Sequence, residues 1–440
     1  MTARYDDRLL SAWLHDVAPG REPEHLLGEV LARTARTGRR PAWRIRERFN
    51  LMYAFSSRFA PTSPVPWRLV AVVAAAVLAL AAAALLTSGK LRAPAPPYGL
   101  AANGPVVFSR NGDIVAADPL GTTVRTLVGG DADDVAPLLS PDGTHLAFFR
   151  GPDGATEAWI ANADGSSQHR IAAGWPAFPG SVDWSPHGDV LVMNSVTPDD
   201  SGGLVLLRTD GSGSTTIPTG LTSVDFPAFR PTAGDQISFR AKDAAGDFGF
   251  YLVNRDGTGL RRLELDSGFQ DDAFYAENSE YYFDDLAWDA SGTRIAFHTL
   301  EPAPDSPAGP GFRIHVADVD PGGAVSNERI LQFDPEADDE FSPILIPGST
   351  DIVFRSLEGS THRLMRGSNV PGATATELGI SAPDWLTVTL SPDGRALMVS
   401  VPDAPPSASQ PRHTVLLDLA NLTSTPVSVP EDFSWQRLGQ

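Results

Sequence analysis

The chain has no cysteine among its 440 residues. That excludes disulfides, thiolate nucleophiles and thiolate metal sites. Lysine is nearly absent as well: Lys90 and Lys242 stand against 32 arginines. There is no Gly-x-Ser-x-Gly elbow, no phosphate-binding Gly-Lys loop and no dinucleotide fingerprint. The nine histidines show no paired metal spacing, and most are expected at turns or strand ends on the surface. Positive charge is scarce: 34 basic residues face 54 acidic ones, a net charge of −20. So acidic a chain does not attract nucleic acid through bulk electrostatics. Long apolar runs are absent except for one.

What the chain does have is a repeat. Leu139-Ser140-Pro141-Asp142-Gly143 leads into the apolar run Leu146-Ala147-Phe148-Phe149. Leu390-Ser391-Pro392-Asp393-Gly394 leads into Leu397-Met398-Val399. Weaker copies read Trp184-Ser185-Pro186-His187-Gly188, Phe229-Arg230-Pro231-Thr232-Ala233-Gly234, Trp288-Asp289-Ala290-Ser291-Gly292 and Leu345-Ile346-Pro347-Gly348. Proline presets φ at the first turn position, Asp bonds its own backbone, and Gly accepts positive φ. The turn glycines are spaced by 45, 46, 58, 56 and 46 residues. That is the period of a four-stranded propeller blade, lengthened twice by insertions. A third strand ends at Asp164-Gly165, Asp210-Gly211 and Asp256-Gly257, a strong hairpin signal. A short fourth strand follows. Residues 105–128 read as strands two to four with no first strand before them. The missing strand is expected at 432–437, which would close the ring and remove its open edges. The expected fold is mainly β: a seven-bladed propeller of four-stranded blades, or a six-bladed one if a weak copy is not a blade.

The stretch Asp134-Val135-Ala136-Pro137-Leu138-Leu139-Ser140-Pro141-Asp142-Gly143, with its later Asp-Gly turns, resembles the repeats of TolB-type periplasmic proteins. It also resembles the propeller domain of prolyl-oligopeptidase relatives. The resemblance covers about residues 100–440, and the copies at 288–292 and 342–348 depart from it. It implies a fold rather than an activity, because one propeller serves many roles. The peptidase relatives need an additional hydrolase domain, which is not expected here.

Residues 67–88 form the one membrane signal. No charge lies between Arg68 and Lys90, and the Ala-rich run is near the length that crosses a bilayer. A signal peptide does not fit, because more than sixty residues precede it. Charge splits across this segment: residues 1–68 carry 12 Arg and seven acids, the remainder 22 basic residues and 47 acids. Positive flanks stay inside. The expected layout is a cytoplasmic helical basic tail (1–66), a transmembrane helix (67–88), a stiff Pro-rich linker (89–104) and an extracytoplasmic propeller (105–440). In the tail, Leu9, Leu10, Trp13 and Leu14, then Leu26, Leu27, Val30 and Leu31, fall at helical spacing. Two roles fit it: a basic, aromatic surface lying on anionic lipid, or a docking module for a cytoplasmic partner. The layout is similar to membrane-anchored anti-sigma or sensor proteins of bacteria, without the Cys cluster of the zinc type.

Candidates for chemistry are acidic. Asp134, Asp225, Asp285, Asp339 and Asp384 recur where each first strand enters, and first strands line a propeller's channel. They are expected either to form an acidic mouth for a basic peptide or for calcium, or to cap turns and satisfy backbone amides within each blade. An insertion at 266–283 sets six aromatics among carboxylates; the Pro-rich insert at 301–311 reads as an exposed loop. The expected function is a bacterial, membrane-anchored binding, scaffold or sensor module for a protein, peptide or envelope ligand, not an enzyme. The alternatives are a propeller hydrolase or lyase acting on glycans, and an anti-sigma-like transmembrane regulator working through the tail. A structural anchor without a small ligand is a third class.

Overall fold

The structure is a computed structural model. It describes residues 94–151, 156–175, 182–194, 201–231, 235–267, 286–301, 311–331, 333, 337–370, 372–405 and 411–439. These belong to the second of two compact units, 85–440. The tail, the apolar run at 67–88, Asp285, and nearly all of the insertions at 266–283 and 301–311 lie outside the described residues. No helix among the described residues is long and apolar enough to cross a membrane.

The described chain is a series of antiparallel sheets. Five have four strands and one has seven. The seven-stranded sheet arises because Ser214–Phe229 is one 16-residue strand. Its first half pairs with Ser201–Arg208 and its second half with Gln236–Lys242. The pairing changes hands at Thr222, which faces both Ser201 and Lys242, and Gly220, at φ +68°, lies in the bulge just before it. Counted in both halves, this strand turns the sheet into two quartets, numbered three and four here.

Quartet two shows the plan. Asp134–Leu139 is innermost, followed outward by His145–Arg150, Thr156–Asn162 and His169–Trp175. The Ser140–Gly143 turn closes with Gly143 N–H donating to the Ser140 carbonyl, and Gly143 sits at φ +72°. Gly188, Gly292 and Gly394 repeat that bond, each at a similar φ. The weak copy at 345–348 differs: Ser349, not Gly348, donates to Ile346. Gly348 therefore stands one residue early in its turn. The Asp-Gly turns close in the same way, with Gly165, Gly211 and Gly257 all at positive φ.

Each strand's two faces serve different neighbours, because successive side chains alternate. Phe148 packs with Val107 and Ile114 of quartet one, while Phe149 packs with Trp184 and Leu191 of quartet three. Both faces are buried, so the second strands read as unbroken apolar runs rather than as alternation. The same sharing continues around the ring. The final core joins Met398 of quartet seven to Val106, Phe108 and Trp435 of quartet one.

Closure is by strand exchange. Phe433–Leu438 is the innermost strand of quartet one and pairs with Ala102–Arg110, Val106 opposite Trp435 and Phe108 opposite Phe433. Trp435 Nε1 donates to the Gly104 carbonyl at 3.0 Å. The chain from Pro94 onward, expected as part of a stiff spacer, is docked on the ring instead. The backbone N–H groups of Ala95 and Ala101 donate to the carbonyls of Asp142 and Pro392, in the turns of quartets two and seven. Arg437 donates to the carbonyls of Pro96 and Gly99. The physical reason is that the turns leave carbonyls open, and the linker supplies matching donors.

Candidate functional site

The inner strands begin, and the second strands finish, at one end of the ring, here the entry end. A recurring bulge shapes it. Ala136, Phe226 and Ser342 each precede a proline and each adopt φ near +50°. Strand register slips at all three places. The bulge re-aims the residues before it, as bulges do beside functional surfaces.

The four described acids do not share one place in the repeat. Asp134 lies two residues before its bulge residue and Asp225 one before; Asp339 lies three before. Each has its own bonding. Asp134 is fully buried and receives two hydrogen bonds from Arg150, Nε at 2.7 Å and Nη2 at 3.0 Å. Asp225 accepts from Asn194 Nδ2 at 3.2 Å and faces Arg240 Nη2 at 3.6 Å. Asp339 accepts the Phe312 backbone N–H at 2.8 Å. Burial raises its pKa, while the Phe312 bond and Arg313 pull it down. Asp384 is buried, and its charge is felt by His362. Among the described residues no three His, Asp or Glu side chains gather where they would hold a metal ion.

The same end carries a second set of residues, which the acidic pattern does not reveal. At this end arginine lies over an aromatic ring in three quartets; one further pair, Arg230 at 4.8 Å from the Trp288 ring centre, lies at the opposite, turn end. Arg150 sits 4.4 Å from the Trp159 ring centre, Arg240 is 4.7 Å from Phe248 and 5.2 Å from Phe226, and Arg355 is 3.5 Å from Trp385. Desolvated pairs of this kind are worth about 2 kcal/mol. The sequence carried a signal for them: Phe149-Arg150, Phe239-Arg240 and Phe354-Arg355 each end a second-strand apolar run. In strand register Arg240, His298 and Arg355 occupy the same position, each three places beyond a fully buried isoleucine, Ile237, Ile295 and Ile352.

Quartets five to seven hold the densest part. Phe341 stacks on Trp385 at 4.8 Å, and His298 meets Phe312 edge-on at 5.4 Å. His362 lies edge-on to Trp385 at 6.0 Å. Arg355 Nη1 donates to the Leu386 carbonyl at 2.5 Å. His298 is fully buried, and burial, helped by the charges of Arg355, Arg240 and His315, pushes its pKa down to about 3. Burial likewise lowers His362. These imidazoles are thus neutral near pH 7 and act as ring surface. The expectation that histidines lie on the surface fails for His298 and His315. Both sit inside strands, and His315 faces Glu328 at 3.3 Å. Burial pushes Glu328 up, but bonds from His315, Ser267 and the Asp266 N–H outweigh it and hold the carboxyl at about 2.

No protein-family model matches the chain, and no curated relative does. Similar solved structures include the tricorn protease, 14% identical over 79% of this chain and 36% of that one, with a TM-score of 0.52. TolB from Acinetobacter baumannii is 14% identical over 67% of this chain and 66% of that one, at 0.45. The β-propeller domain of the Trilobed protease from Pyrococcus furiosus is 13% identical over 70% of this chain and 87% of that one, at 0.44. The chain spans about a third of the tricorn protease and just under two thirds of TolB. Likeness at these identities speaks of fold alone. The resemblance to TolB-type propellers read from the repeat holds at that level.

Proposed function

We propose that the ring is a binding module whose entry end receives a polypeptide, and that turnover is not its task. The observation that carries this is the concentration of arginine-on-aromatic pairs at the entry end: three there, Arg150–Trp159, Arg240–Phe248 and Arg355–Trp385, against one at the turn end, Arg230–Trp288, whose guanidinium donates to the carbonyls of Gly292, Val319 and Asp320. Guanidinium groups held over rings have little rotamer freedom left to lose on meeting carboxylates and carbonyls. Arg and aromatic residues are also the types that dominate binding hot spots. The acids complete the surface from beneath: Asp134 and Asp225 hold Arg150 and Arg240 in place. Recognition therefore favours a segment with carboxylates and rings over a basic peptide or a calcium ion. The setting that accords with the charge split and the apolar run is a bacterial envelope protein, anchored by residues 67–88 with its tail in the cytoplasm.

A photo-activated amino acid placed at Phe226 or Phe248, in the full chain in its native membrane, tests this. Cross-links to a polypeptide are expected from these two positions. The same probe at Ser166 and Leu422, exposed in turns at the opposite end, is expected to give none. Equal labelling from both ends, or none from Phe226 and Phe248, contradicts the proposal.

A further inference from the structure

At the turn end of the ring, opposite the Arg150, Arg240 and Arg355 pairs, a cleft of about 600 Å³ opens between quartets three and four. Val190 and Leu206, 2% and 5% exposed, make its apolar floor. The size lies within the range of small-molecule sites, roughly 300 to 1,000 Å³.

The polar wall divides into groups already engaged and groups still open. Arg255 is held by Asp189 through two bonds, at 3.2 and 2.7 Å. Asp256 is taken up by Thr258, through its N–H at 2.9 Å and its hydroxyl at 2.6 Å. Asn254 receives Gln236 and donates to Thr258. Arg208 and Asp235 are different. Both are exposed at the cleft, and neither side chain has a hydrogen bond or a close ion pair among the described residues; the Arg208 charge is felt by Asp210, two residues on, without a bond between them. One open cation and one open anion thus stand over an apolar floor, on chain segments of two different quartets.

We infer that this cleft is a second binding site, taking a short zwitterionic peptide with free termini. The carboxylate would meet Arg208, the ammonium Asp235, and the apolar side chains the floor of Val190 and Leu206. A free amino acid would leave most of the cleft empty, and a long chain lacks a terminus at each end of it. Mixed-sign walls also disfavour a simple anion or cation, since each would face one like charge. The site is independent of the entry end, so the two proposals stand or fall separately.

The test is calorimetric titration of the full-length chain with Leu-Leu dipeptide. N-acetylated and C-amidated Leu-Leu serve as controls. The free dipeptide is expected to bind, and blocking either terminus is expected to weaken binding about tenfold, the loss typical of one charge-assisted hydrogen bond. Arg208→Gln should abolish the preference for a free carboxylate while keeping that for a free amine; Asp235→Asn should do the reverse. Both residues are exposed, so neither variant threatens folding, and an unchanged melting temperature without ligand checks that. Absence of binding overturns the inference. So does binding that ignores the blocked termini, or that both variants leave unaltered.

Discussion

Asp134 and Arg150 show how a recurring acid can belong to the scaffold and still serve a site. The carboxylate is sealed from water and its two oxygens are both taken by one guanidinium. Removing one partner strands the other, which costs far more than an exposed pair would. Asp134→Asn is expected to destabilise the ring by about 3 kcal/mol in urea unfolding, with Arg150→Gln adding little on top of it. A shift below a few tenths of that would mean the pair is not formed. Titration gives a second residue-scale prediction. His298 has a folded pKa near 3 against an ordinary 6.5. Below pH 6.5 the unfolded chain takes up a proton that the folded one refuses, so stability falls as the pH drops toward 3. Asp183 acts with the opposite sign. Burial raises it to about 6, offset in part by bonds from the Phe229 and Trp184 backbones. The folded state therefore binds that proton first, and stability is gained as pH falls from about 6 to about 4. His298→Gln should flatten the acid-side loss of melting temperature, and Asp183→Asn should steepen it. The same direction for both variants would refute the assignment.

At the scale of elements, the exchanged strand Phe433–Leu438 decides whether quartet one exists at all. Trp435 is 8% exposed, packs with Phe108 and Met398, and bonds the Gly104 carbonyl. Trp435→Ala is expected to cost about 3 to 5 kcal/mol by denaturant unfolding; a cost under about 1 kcal/mol would mean the strand is not seated. This element was legible in the sequence to within a residue, because 105–128 lacked a first strand and 432–437 was the strand expected to supply it. The Pro-Asp-Gly turns were legible for the same kind of reason, since their chemistry is local. The continuous strand Ser214–Phe229 was not. Its halves look like separate fourth and first strands, and only long-range pairing reveals that no break lies between them. The acids at the entry end were visible as residues but not as a geometry. Asp134 differs by one position from both Asp225 and Asp339 relative to the bulge, and a one-residue difference turns a side chain to the other face. The arginines gave a weak signal because each ends an apolar run and looks like a mere terminus. Their stacking on Trp159, Phe248 and Trp385 depends on rings from other strands and loops.

The whole molecule is held by sharing. Quartet two has no private core: it presents one face to the quartet before it and one to the quartet after, and the last such core joins quartet seven to quartet one. Opening the ring at such a joint would expose two apolar faces at once, so closure and stability are one property. The turn-end cleft is a consequence of that order, because it is built from residues of the neighbouring quartets three and four. The absence of cysteine offers a clean test of closure, since any pair introduced has no native thiol to compete with it. Val107 lies opposite Ser434, and Phe108 opposite Phe433. Opposed residues in an antiparallel pair are within reach of a disulfide. The full chain carrying Val107→Cys with Ser434→Cys, or Phe108→Cys with Phe433→Cys, should cross-link within one molecule on mild oxidation, and at least one pair should raise the melting temperature reversibly with reductant. Cross-links formed only between molecules, or thiols that stay free in both pairs, would contradict a ring closed by its last strand.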